Sequence, residues 1–300
     1  MSALSPRQVL EQLAAAIPAE ARARLVVVGS LAVGYHYFGR DPDAPVRTKD
    51  VDCVIAPRVR AVEEGARMAE LLLARHWRPR MVGEHTTPGN ATTPANELPA
   101  VRLHPPDSDE WFLELLTVPG AEEERGSHWT RLPLSRGHYA LPSFEFLALE
   151  THRPLPTDLG LAYAQPSLMA LAHLLEHPQV GAATMSGLIE GRRIKRGAKD
   201  LGRVLAIAAL AGPDEVESWP PIWGAALQEC FPSPWRPLAR GIGAGLRELL
   251  EREEDLEQAM WTCNQGLLAS RPLSLEQMRA TGQRVLQDAT EPLTELDEEV

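Results

Sequence analysis

Three short stretches combine residue types and spacings that could handle an anion and a cation together. The first is Val26-Val27-Val28-Gly29-Ser30, a β-branched run stopped by a Gly-Ser turn. Glycine lets the backbone turn sharply and lets a phosphate come close. Ser30 offers a hydroxyl, and a helix starting here would aim unpaired N–H groups and a positive dipole end at an anion. Taken alone, the same residues spell an ordinary strand-to-helix turn with Ser30 as N-cap. The second stretch is Arg47-Thr48-Lys49-Asp50-Val51-Asp52. Residues two apart in a strand share a face, so Asp50 and Asp52 project together. Adjacent carboxylates repel unless a cation lies between them. Hard oxygen donors suit Mg²⁺, which commonly takes one or two carboxylates plus substrate phosphates. Arg47 and Lys49 are candidate phosphate contacts beside the pair. In the plainer alternative Asp50 ends a loop and Arg47 or Lys49 neutralises Asp52. The third stretch is Trp111-Phe112-Leu113-Glu114-Leu115-Leu116-Thr117, where Glu114 is the one ionisable group in an apolar strand. A buried carboxylate needs a partner or a metal; the alternative is an edge strand with Glu114 in water.

The combination is more specific than its parts. It resembles the nucleotidyltransferase superfamily, whose pattern is strand, Gly-Ser or Gly-Gly, helix, then Asp-x-Asp, then a later strand carboxylate. Val28-Gly29-Ser30-Leu31-Ala32 with Arg47-Thr48-Lys49-Asp50-Val51-Asp52 looks most like the AbiEii/MenT-type toxin group. The resemblance implies a polymerase-β-like sheet, two Mg²⁺ ions (Mn²⁺ as a substitute) and transfer of a nucleoside monophosphate from an NTP. Carried over, Gly29 and Ser30 hold the triphosphate, Asp50 and Asp52 bind metal, and Glu114 is the third catalytic carboxylate, ligating the metal that activates the acceptor. It also implies an acceptor hydroxyl on RNA, particularly a tRNA 3′ end, and a possible antitoxin partner; a protein hydroxyl or a small-molecule acceptor is also compatible. The nineteen residues between Ser30 and Asp50 exceed the spacing in many relatives.

A fourth stretch, Gly191-Arg192-Arg193-Ile194-Lys195-Arg196-Gly197-Ala198-Lys199-Asp200-Leu201, is the strongest basic cluster in an acidic chain. Relatives with a helical second domain often carry such an Arg/Lys…Lys-Asp-Leu run. By that likeness Lys195 and Lys199 approach the nucleotide's phosphates, while Asp200 holds the helix and its basic side chains. It also reads as a solvated helix N-terminus. The lysine often found in the preceding helix is missing from Ala170-Leu171-Ala172-His173-Leu174-Leu175. His173 takes that place, or is a packed core residue. A catalytically silent, nucleotide-sensing or partner-binding module is the competing function.

The elements that must position these residues can be read from periodicity and punctuation. Ser5-Pro6 opens a helix carrying Val9, Leu10, Leu13 and Ala14, and Pro18 ends it. Leu25 to Val28 and Val51 to Ile55 read as strands, Leu31 to Phe38 and Val59 to His76 as helices, and Gly39 to Pro45 and Thr86 to Pro99 as loops. Val101 to His104 and Trp111 to Thr117 form a hairpin, with one more strand at His138 to Leu141 and a helix capped by Ser143. After Pro156 only helical patterns appear: Ser167 to Glu176, Ala198 to Leu210, Ile222 to Cys230, Leu238 to Leu250, Leu256 to Leu268 and Leu275 to Gln287, the last capped by Ser274. Loops are expected at Trp219-Pro220-Pro221 and Pro232-Ser233-Pro234, and a frayed tail from Asp288. The fold class is mixed α+β, with a nucleotidyltransferase-like domain over 1–155 and a helical domain over 156–300.

At 300 residues the chain can bury a large core. Its net charge of −11 excludes a general polyanion-binding surface and leaves a nucleic-acid partner only local basic patches. Cys53, Cys230 and Cys263 show no disulfide or zinc spacing. With no apolar run near a membrane span and no signal pattern over Met1 to Gln12, the expectation is a soluble, cytoplasmic protein without a membrane partner.

Overall fold

The computed structural model describes residues 2–39, 41, 45–81, 87–119, 127–180, 183–185, 188 and 191–295. Parts of the expected Gly39 to Pro45 and Thr86 to Pro99 loops therefore lie outside the described residues. The fold is mixed α+β. In chain order the strands are β1 (Ser2–Leu4), β2 (Leu25–Val27), β3 (Val46–Thr48), β4 (Asp50–Ile55), β5 (Arg78–Pro79), β6 (Arg102–His104), β7 (Phe112–Thr117), β8 (Ser127–Leu134), β9 (Gly137–Phe144), β10 (Leu155–Pro156) and β11 (Ala162–Tyr163). The chain forms two compact units: Ser2–Ala32 with Thr48–Ala164, and Val33–Arg47 with Gln165–Val300.

The first unit is built on a mixed sheet of order β10-β11-β2-β4-β7-β6-β5, with β9 joined to β7 and β8 to β9. Its early helices are α1 (Pro6–Ala16), started by Ser5-Pro6 as expected, α2 (Ala19–Arg22) and the first turn of α3 (Gly29–Phe38), which begins at the Gly-Ser turn itself. Central strand β4 runs antiparallel to β2 and parallel to β7. Along β4, the buried Val51, Cys53 and Ile55 alternate with Asp50 and Asp52. Helix α4 (Ala61–Ala74) covers the apolar face: a Cβ built on Gly65 would lie 3.0 Å from the tip of Ile55 and 3.3 Å from that of Leu141. Asp50 and Asp52 therefore project from the other face.

The expected hairpin is present, with Leu103 opposite Leu113. Two strand expectations need correction. Ser143 is not a helix cap; it lies buried inside β9, and α5 (Leu147–Glu150) starts four residues later behind Phe146. Strand β8 was not expected, and it pairs along all eight residues with β9. Its Ser-His-Trp-Thr-Arg-Leu-Pro-Leu sequence has no apolar alternation, and Pro133 is tolerated because β8 has a ladder on one side only. The chain also returns to the sheet after Pro156: Ala162–Tyr163 pairs parallel with β2.

The second unit is helical: α6 (Pro166–Val180), α7 (Arg196–Ala211), α8 (Pro213–Glu217), α9 (Trp219–Cys230), α10 (Trp235–Gly241), α11 (Ala244–Glu251), α12 (Glu253–Gln265), α13 (Leu275–Arg284) and α14 (Glu291–Glu295). Trp219 and Trp223 are fully buried, and the Trp223 indole N–H donates to Ser167 O at 2.9 Å, tying α9 to α6. Ser274 caps α13 through a capping box with Gln277. Trp219-Pro220-Pro221 is the first turn of α9, not a loop; proline at the first helical positions lacks only an N–H that would be unpaired there. The helix expected over Leu238 to Leu250 is two helices, because Gly241 and Gly243 fall at the break and glycine is a poor helix interior residue. The tail expected to fray from Asp288 is helical to Glu295, through a π turn over Val285–Thr290. Buried Ala289 and Leu293 anchor it; Leu293 lies 3.5 Å from a Cβ built on Gly224 of α9. Among the described residues no helix is long and apolar enough to cross a membrane.

Candidate functional site

The site begins at the junction of β2 and α3. Gly29 has φ +71°, a conformation costly for any residue with a Cβ. A Cβ there would also lie 3.0 Å from Asp52 Oδ2. Glycine is thus required twice, by its backbone and by the carboxylate beside it. The Val28 N–H donates to Asp52 O at 2.9 Å, continuing the β2–β4 ladder up to the turn. Gly29 and Ser30 open α3, so their amides are among those a helix leaves unpaired.

Asp50 and Asp52 are half-buried at the start of β4. The Thr48 hydroxyl donates to Asp50 Oδ1 at 2.5 Å, fixing that carboxylate from the strand before it. Across the parallel ladder Asp52 pairs with Glu114 and Asp50 with Phe112. Registered partners point to one side of a sheet, so all three carboxylates share a face. Glu114 is 8 % exposed.

The next strand changes the electrostatics. Arg102 on β6 is registered opposite Glu114, and its Nη2 donates to Glu114 Oε1 at 2.9 Å. Burial pushes the Glu114 carboxyl above its ordinary range, and the Arg102 guanidinium pulls it back toward ionisation. Arg80, one residue past β5, donates its N–H to Arg102 O at 2.8 Å. Its guanidinium carbon lies 4.0 Å from the Phe112 ring centroid. Burial, and then the charge of Arg102, hold the Arg80 pKa below its usual value. Lys49, Arg80, His104, Asp109 and Glu110 line an open cavity of about 430 Å³. Arg80 and Arg102 were not singled out from sequence. The signal was Arg102-Leu103-His104 facing Phe112-Leu113-Glu114 in the hairpin: once that register is written down, arginine stands opposite glutamate.

The donor set fits a divalent cation in part. Asp50 and Asp52 supply hard oxygens on one face, as Mg²⁺ requires. Glu114 instead has one oxygen committed to Arg102. Among the described residues no group of three or more His, Cys, Asp or Glu side chains is gathered so as to hold a metal ion. Asp50 and Asp52, sharing a face, are the two carboxylates that could hold a cation here.

The remaining expected contacts lie in the helical unit. The Arg47 N–H donates to Gly266 O at 3.3 Å and its side chain is exposed. Lys195 Nζ pairs with Asp255 Oδ1 at 2.6 Å, and its backbone N–H donates to Gln258 Oε1. The Arg192 guanidinium carbon sits 5.0 Å from the Trp261 ring centroid. Much of the basic stretch is thus engaged by α12. Asp200 is buried, only 6 % exposed, with Arg196 Nε 3.8 Å from its Oδ2. His173 is buried too, but against charges: Arg203, Asp200, Lys199 and Arg196 face it, and burial first lowers its pKa to about 4.

No protein-family model matches the chain, and no curated protein sequence matches it.

Proposed function

We propose that the chain is a metal-dependent nucleotidyltransferase that moves a nucleoside monophosphate from an NTP to an acceptor hydroxyl. One observation carries the reading: an Asp-x-Asp pair, with a glutamate registered beside it, abuts a left-handed glycine at a helix start. Gly29 and Ser30 receive the triphosphate, where unpaired amides and the helix dipole favour negative charge. Asp50 and Asp52 hold the cation. A divalent ion bound there supplies Lewis acidity toward the phosphates and the leaving pyrophosphate. Thr48 keeps the Asp50 carboxylate aimed. The acceptor oxygen bonds to the α-phosphorus, the bond from that phosphorus to the β-phosphate's bridging oxygen breaks, and the hydroxyl proton leaves to solvent or a carboxylate. Arg102 neutralises the charge of Glu114 in the absence of cation and so orients that third carboxylate.

The same ion pair favours a second reading, a binding module without catalysis, since it leaves the third carboxylate occupied. Labelled NTPs incubated with the protein, total RNA and total cell protein separate the two. Label transferred to one fraction, and abolished in Asp50→Ala, supports the transferase. No label in any fraction with any NTP supports the module. Growth arrest on induced expression, relieved by Asp50→Ala, would further support a toxin-like role against RNA.

A further inference from the structure

We propose that Arg80 and Arg102 form an anion clamp that binds a phosphate group of the acceptor. The proposal rests on the transferase reading for the word acceptor, and on the sheet for everything else. Across β4, β7 and β6, one row of registered residues reads Asp52, Glu114, Arg102. Arg80 follows, hydrogen-bonded through its N–H to Arg102 O. One face therefore runs from two acids to two bases across four neighbouring strands.

The two guanidinium carbons lie 4.0 Å and 5.9 Å from the centroid of the same Phe112 ring. Like charges held this close repel, and both side chains are half-buried. Arg102 spends one nitrogen on Glu114, while its Nε is buried without a hydrogen-bond partner. Among the described residues neither a hydrogen bond nor an ion pair engages the Arg80 guanidinium. Lying over the Phe112 ring, it has N–H donors left to fork onto a ligand. A planar guanidinium matches phosphate bidentately, and two of them leave donors for three oxygens. Asp50 and Glu114 balance the arginines only while no cation is present; a divalent ion on Asp50 and Asp52 turns the face net positive and calls for an anion.

Strand order says which anion. The glycine turn lies beyond β2, on one flank of the aspartates; β6 and β5 lie on the other, past β7. Neighbouring strands are about 4.8 Å apart, so the clamp is roughly three spacings from the triphosphate turn. The donor's phosphates occupy the first flank, and the acceptor enters by the second. The open cavity of about 430 Å³ beside Arg80 and His104 gives it room. Asp109 on its rim is tied to Arg78 at 2.8 Å.

The test is fluorescence anisotropy of a 5′-labelled single-stranded RNA 12-mer with the full chain in Mg²⁺, beside binding of a non-hydrolysable NTP. Arg80→Gln is expected to weaken RNA binding about tenfold or more, with Arg80→Lys intermediate and NTP affinity retained. Inorganic phosphate and a nucleoside 5′-monophosphate serve as competitors. Displacement by the monophosphate at concentrations where unlabelled RNA displaces equally supports a small phosphorylated acceptor; displacement by RNA alone supports a strand. Equal RNA affinity of wild type and a folded Arg80→Gln, or no binding of any phosphate probe, overturns the clamp. Parallel loss of RNA and NTP binding assigns the arginines to the donor and overturns it as well. Arginine-dependent RNA binding with no NTP binding leaves the anion site standing and removes the transferase reading instead.

Discussion

Gly29 concentrates the cost of this site in one residue. Any side chain there faces a left-handed backbone and the Asp52 carboxylate at 3.0 Å. Gly29→Ala should cost about 1–2 kcal/mol in denaturant unfolding and weaken Mg²⁺-dependent NTP binding, because Asp52 must move to make room. Unchanged unfolding and binding would contradict the contact. His173 makes a different prediction. Folded, it stays neutral down to about pH 4; unfolded, it protonates near its ordinary 6.5. Between those values the unfolded chain binds more protons, so stability falls as pH drops through the window, by on the order of 3 kcal/mol in full. His173→Gln should flatten that part of the pH–stability curve. The individual residues were legible because aspartate is unusual in a strand and glycine marks a sharp turn. Their contacts were not: nothing in the spacing of Gly29 and Asp52 tells how closely they meet.

At the scale of elements, the β4–β7 register matters most, since a one-residue slip would send Glu114 to the face covered by α4. Periodicity found these strands and the hairpin, because long apolar runs bounded by turns are strong signals. It missed β8, whose polar sequence is held by pairing with β9, and the two-residue β10 and β11, which are too short to show a period. It also missed the juxtaposition of Arg80 and Arg102, which exists only once the hairpin is zipped and Arg80 lies over Phe112. In the helical unit, α7 and α12 meet at Gly202, where a Cβ would lie 3.0 Å from Ala259 O and from Cys263 Sγ. Gly202→Val should lose about 1–3 kcal/mol by overpacking against backbone that cannot move aside. A stability equal to wild type would mean the two helices are not so close.

For the whole molecule, a net charge of −11 limits how a polyanion can bind. Contact must stay with a few local cations, so the salt dependence should be shallow. One clamped phosphate on a single strand corresponds to a slope of about −0.7 in log affinity against log salt. A slope several times steeper would mean a broad basic footprint that this chain does not offer.

The central claim is that Asp50 and Asp52 hold a divalent cation against a nucleotide's phosphates. Calorimetric titration of a non-hydrolysable NTP, with and without Mg²⁺, into wild type and Asp52→Asn tests it most directly. The account predicts binding that requires Mg²⁺ and is lost in Asp52→Asn. Binding of equal strength without metal, or untouched by that substitution, would contradict it.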